Sequence, residues 1–128
     1  MMASYCLLIE TLQSFKNGWG DTKRKSEKAF KQFFKDNNKF GSLKNKGNEI
    51  YTNIRCGILH QGETTGGWRI RRKGKLVENK TINATKFGIK LEETLNDYKN
   101  QLIDSEWDSH IWKKFRKKMK KIIKNCKE

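Results

Sequence analysis

Proline is absent from this 128-residue chain, so long helices meet no residue that lacks the amide donor they need. Cysteine is scarce. Cys6, Cys56 and Cys126 are widely spaced, leave one thiol over in any disulfide scheme and form no Cys-x-x-Cys pair. Histidine is scarcer still, only His60 and His110, and these residues argue against a zinc site built by one chain. No metal and no other cofactor is expected. Reduced thiols point to the cytoplasm. No apolar run is long enough to span a membrane, and no basic region precedes the short apolar stretch at the N-terminus, so neither a membrane span nor a signal peptide is expected. Asn79-Lys80-Thr81 and Asn83-Ala84-Thr85 match the glycosylation pattern, which means little without such a signal. Internal repeats are missing, which excludes a solenoid.

Common enzyme signatures are missing too. There is no Gly-x-Ser-x-Gly elbow. Gly67 to Lys75 ends in Gly-Lys, but its glycines are too far apart for a phosphate-binding loop and Leu76 stands where Ser or Thr is required. Leu76-Val77-Glu78-Asn79-Lys80 superficially matches the strand-borne Glu-x-Lys of metal-dependent nucleases. Those enzymes need a sheet and a second carboxylate to hold Mg²⁺, and the surrounding chain reads as helical. A sheet of three or more strands would favour that alternative.

What the chain has is positive charge. Lys and Arg number 29 against 14 Asp and Glu, a net +15, which favours association with phosphate backbones or with anionic membranes. A plain solvated surface accounts for much of the same lysine content. Phe, Trp, Leu and Ile recur along the chain at regular intervals, so it is folded, and residues 1–128 are long enough for a single domain with a modest core.

The apolar spacing predicts an all-α fold of four to five helices. Tyr5, Leu8, Ile9, Leu12 and Phe15 form the stripe of a first helix that ends at Asn17-Gly18. A second helix begins near Ser26, as its cap, and buries Phe30, Phe33 and Phe34. Residues 36–48 read as a mobile polar loop. A third helix runs from about Gly47 to His60, with Ile50, Ile54, Gly57 and Ile58 inward. Gly57 there costs about 1 kcal/mol relative to Ala, which close approach of another helix or chain would explain. Trp68 to Val77 alternates around Lys73-Gly74 and reads as a small β-hairpin, an excursion within residues 62–82. Asn83 or Thr85 caps a long helix with the stripe Phe87, Leu91, Leu95, Tyr98 and Leu102. Ser105 caps the last, whose stripe of Trp107, Ile111, Phe115, Met119, Ile122 and Cys126 reads as core, with nine lysines and arginines on its other face.

The segment that carries chemistry is Tyr51 to Thr64. Arg55 precedes His60 by five positions, roughly 140° around a regular helix, so the two side chains flank a groove. Cleaving RNA without metal needs a base for the 2′-OH proton, an acid for the leaving 5′-oxygen and a positive group at phosphorus. Histidine serves in either proton role, and arginine holds two phosphate oxygens in one fork. An interface ion pair and an ordinary helix-end histidine would give the same spacing.

This segment resembles the Arg-x₄₋₆-His signature of the HEPN superfamily, with Arg55 and His60 in its two positions and the phrase Arg55-Cys56-Gly57-Ile58-Leu59-His60-Gln61-Gly62-Glu63 similar to a prokaryotic branch. One position departs from the pattern: Cys56 stands where many active members have Asn, Asp or His. The resemblance implies an α-helical up-and-down bundle, which a sheet of three or more strands would contradict, and a metal-independent endoribonuclease of toxin–antitoxin or antiphage systems. It further implies a homodimer whose two motifs meet across the interface, with Gly57 at the close approach, and an antitoxin or regulatory partner. Arg69, Arg71, Arg72 and Lys73, with the last helix, are then candidates to grip flanking RNA phosphates. Some members are inactive. A non-catalytic nucleic-acid-binding domain and a dimerisation scaffold are therefore the alternatives.

Overall fold

The computed structural model describes residues 1–127. Its elements, in order, are α1 (Met2–Asn17), α2 (Ser26–Asp36), a 3₁₀ helix (Asn38–Asn45), α3 (Gly47–Ile50), a π-helical turn (Tyr51–Cys56), α4 (Gly57–Gln61), β1 (Arg69–Arg71), β2 (Val77–Glu78), β3 (Thr81–Asn83), α5 (Ala84–Asp104) and α6 (His110–Cys126). Helix dominates, with one small sheet.

The core forms where the helical stripes converge. Ile9 and Leu12 of α1, Phe30, Phe33 and Phe34 of α2, Ile50, Ile54, and Phe87 and Leu91 of α5 are all buried. The phenylalanines pack as a chain of rings: Phe33 meets Phe34 and Phe40 at 5.1 Å each, and Phe40 meets Phe87 at 5.0 Å. Each such ring contributes about 1.5–3 kcal/mol by leaving water. Helix α1 stops where expected: Gly18 takes φ 69°, ψ 29°, and its amide turns back to the Phe15 carbonyl. That left-handed conformation suits glycine, which has no Cβ to clash.

Several local expectations are corrected. The stretch read as a mobile loop is a 3₁₀ helix, because Phe40 and Leu43 within it are fully buried and anchor it to the core. Ser26 does not cap α2. It lies inside the first turn, with its hydroxyl 3.4 Å from both Glu10 Oε2 and the Thr22 carbonyl. Ser105 ends α5, and α6 starts at His110, after Ser109. Asn83 does cap α5, its Oδ1 accepting from the Lys86 amide at 3.1 Å.

The hairpin is displaced. The sheet has three strands in the order β1-β3-β2, with β3 central, parallel to β1 and antiparallel to β2. The tight turn therefore falls at Asn79-Lys80, both at positive φ (48° and 58°), the signature of a primed hairpin turn. Strand β3 takes the centre because Ile82 plunges into the core, whereas β1 is exposed along its length.

Helix α6 differs most. None of its residues is fully buried. Ile111, Phe115, Met119 and Ile122 are half-covered, whereas Trp107 before the helix and Cys126 at its end are exposed. Phe115 packs on Phe15 at 5.1 Å, and the Cα of Lys114 comes within 3.3 Å of where a Cβ on Gly18 would lie, so α6 rests on the outside of α1.

Candidate active site

The run 47–61 carries both candidate catalytic residues. Its middle turn is π-helical, wider by one residue than an α turn, a feature often found at functional sites. Around it the chain is tied down from outside. The Asn53 carbonyl accepts from the Thr65 amide at 2.8 Å, and Thr65 Oγ1 lies 3.1 Å from Asn53 Oδ1. The loop after His60 thus folds back over the helix that precedes it. Gly57 makes this fold-back possible: a Cβ there would meet the Glu63 carbonyl oxygen at 2.6 Å. The close approach at Gly57 is therefore to the chain's own loop, which corrects its assignment to a partner's helix.

Arg55 is held on one side. Its Nε donates to Glu10 Oε1 at 2.7 Å, and the two side chains are only 18% and 8% exposed. Its guanidinium lies 5.5 Å over the Tyr51 ring, and Nη1 is 3.8 Å from Cys56 Sγ. Burial works against the charge on Arg55, but the hydrogen bond and charge of Glu10 outweigh it, and the guanidinium is held above its ordinary range. With Nε engaged, the terminal nitrogens keep donors free for a second acceptor. Cys6 is buried beside this pair. Burial, then the negative charge of Glu10, pushes its thiol up to about 12, so it stays protonated and is no nucleophile.

Arg55 also lines a small groove of about 60 Å³ with Ala3, Cys6, Leu7, Ile58 and Leu59. Leu7 and Leu59 are each 59% exposed. His60 follows Leu59, is exposed, and does not line that groove. One chain therefore places Arg55 and His60 on the same helical run without closing a site around both.

The other candidates are surface residues. Arg69, Arg71, Arg72 and Lys73 are all exposed on and after β1. Arg71 is already engaged, its Nη2 donating to Glu78 Oε2 at 3.0 Å. That pairing bears on the metal-nuclease alternative as well. The sheet does reach three strands, which departs from the helical bundle expected above, but Glu78 faces Arg71, and Lys80 Nζ lies 3.3 Å from the Gly66 carbonyl. No group of three or more His, Cys, Asp or Glu side chains gathers among the described residues. No helix among them is long and apolar enough to cross a membrane.

Glu10 is the residue that sequence reasoning missed. It is the only carboxylate in α1, set between the apolar stripe positions Ile9 and Leu12. A lone acid within an apolar helix was the available signal, since such a group is buried only with a partner. Comparison with family models, curated proteins and solved structures finds no match to this chain.

Proposed function

We propose that the chain is a metal-independent endoribonuclease of the HEPN type, its helices an up-and-down bundle, acting as a homodimer in toxin–antitoxin or antiphage defence. The observation that carries the reading is the placement of Arg55. It is braced by a buried carboxylate, keeps free donors, and opens onto an apolar patch next to an exposed histidine. Exposed leucines beside a charged, oriented arginine are what a composite interface site requires. Two copies joined through Leu7 and Leu59 bury that patch and bring two Arg55 and two His60 side chains into one cleft.

In that cleft one imidazole takes the proton from the 2′-OH, and the 2′-oxygen attacks phosphorus. The other, protonated, gives its proton to the departing 5′-oxygen, leaving a 2′,3′-cyclic phosphate and a 5′-hydroxyl. The Arg55 terminal nitrogens neutralise the charge that builds on the phosphoryl oxygens. Glu10 fixes the plane of the guanidinium and leaves the outer edge for phosphate.

The test is cleavage of single-stranded RNA in EDTA by the purified protein. His60→Ala and Arg55→Lys should each lower the rate by about 10²–10⁴-fold while RNA binding falls far less. Leu59→Glu should yield a folded monomer with the same loss of rate. Wild-type cleavage by a folded His60→Ala protein ends the catalytic reading. Salt-dependent binding with no cleavage selects the binding-domain alternative, which the exposed cations also fit.

A further inference from the structure

Trp107 reads from sequence as a core residue, yet it is 65% exposed. It is nonetheless held in place. The Arg116 guanidinium lies 4.3 Å over its ring and donates to its carbonyl at 2.5 Å. Trp112 packs 5.3 Å away and is itself anchored, its Nε1 donating to the Leu102 carbonyl at 2.7 Å. An indole fixed by its neighbours and left largely in water is a ready stacking surface. Glu106 and Asp108 flank it, so this point repels phosphate and suits the uncharged face of a base.

Charge continues from there along α6. Lys113, Lys117, Lys120 and Lys124 are all exposed, and their spacing puts them on one face of the helix. No acidic residue occurs between His110 and Lys127. The helix spans about 25 Å, enough for several nucleotides. The lysine face itself does not line the candidate site, but Lys118 and Asn125, about 100° round the same helix, share a groove of about 370 Å³ with Leu7, Glu10 and Thr11, and Glu10 holds Arg55.

We propose that Trp107 and the lysine face of α6 form a track for single-stranded RNA, with a base stacked on Trp107 and the backbone led along α6 toward Arg55. The track rests on the ribonuclease reading only in naming RNA as its ligand. A membrane fits less well, because the apolar stripe of α6 is turned onto α1 through Phe115 and Phe15, and the single half-exposed Ile123 beside the lysines makes no insertable face. A duplex fits less well, because its bases are already stacked on each other.

The experiment measures binding with His60→Ala, so that cleavage cannot interfere. Its probes are a labelled oligouridylate, a perfect RNA duplex, and vesicles of phosphatidylglycerol with phosphatidylcholine. In that background Trp107→Ala should weaken oligouridylate binding about tenfold and leave duplex binding within about twofold. Trp107→Phe should restore most of the affinity. Lys117→Ala with Lys120→Ala should lower the salt-dependence slope by about 1.4, at about 0.7 for each phosphate that is no longer neutralised. Tryptophan fluorescence should be quenched by the oligouridylate, and less so in Trp107→Ala, which leaves the other three tryptophans in place. Unchanged oligouridylate affinity in Trp107→Ala overturns the track, as does equal binding of duplex or preferential binding of the vesicles. A track that passes in a protein that never cleaves RNA refutes the ribonuclease reading alone.

Discussion

Glu10→Gln isolates the electrostatic part of the Arg55 brace. The amide keeps the shape and retains an oxygen to accept from Arg55 Nε, now 2.7 Å from the carboxylate, but removes the negative charge. Deleting one partner of a fully buried ion pair costs about 3–5 kcal/mol. Here the hydrogen bond survives and the guanidinium is 18% exposed, which reduces the expected loss to about 1–2 kcal/mol. Glu10→Ala also loses the bond and should cost about 3 kcal/mol. At about 4 °C per kcal/mol for a chain of this size, the melting temperature falls by about 4–8 °C for Gln and about 12 °C for Ala. Thermal unfolding followed by circular dichroism reads both. Adding Arg55→Met to Glu10→Gln is the decisive arm. With both charges gone no ion is left unpaired, so the double variant should be more stable than the sum of the single losses by about 1 kcal/mol or more. A Glu10→Gln protein within about 0.5 kcal/mol of the parent, or strictly additive losses, would refute the buried-pair argument and reduce the pair to a solvated one.

Three further outcomes follow from the geometry. Gly57→Ala should destabilise the folded chain by about 1–3 kcal/mol, because its Cβ meets the Glu63 carbonyl oxygen at 2.6 Å. Chemical denaturation should show this loss in a dissociated Leu59→Glu background as well, since the clash lies within one chain. Lys80→Gly should stabilise by about 0.5 kcal/mol, the relief of a left-handed conformation offset by the extra freedom of glycine when unfolded, and urea midpoints will show the sign. Cys6 is raised from 9.0 to about 12 in the fold, so the unfolded thiol loses its proton first. Stability should therefore fall as pH rises from about 9 toward 12, a slope that Cys6→Ala should reduce in denaturation curves taken at successive pH values.

The parts of the fold that are legible in the sequence are those with one dominant period. The stripe of α1, the phenylalanines of α2, the inward face of residues 47–61 and the cap at Asn83 all follow from spacing and local hydrogen bonding. The 3₁₀ segment is not legible, because two buried residues, Phe40 and Leu43, outweigh a run of polar ones around them. The sheet misleads because alternation about Lys73-Gly74 looks like a turn, whereas pairing is decided by which strand buries a side chain, and that is β3 through Ile82. The stripe of α6 is correctly periodic but cannot reveal how much of it the neighbouring helix covers. Of the candidate site, Arg55 and His60 stand out by residue type and spacing. Glu10, 45 positions upstream of Arg55, becomes its partner only through tertiary packing.

The π-helical turn makes the face presented by residues after it depend on residue count. A helix with one extra residue in a turn is shifted in phase by about 100° relative to an uninterrupted one. Deleting Thr52, an exposed residue of that turn, would let the segment relax to plain α geometry and rotate one end of it against the other. Arg55, Gly57 and Glu63 all follow Thr52 and would turn together, so with Ile50 still anchored in the core the contact of Gly57 with Glu63 would survive while Arg55 swung away from Glu10 on α1. An insertion or deletion that leaves every apolar residue in place would thus undo the Arg55 brace, so the length of the segment constrains this surface as much as its composition does.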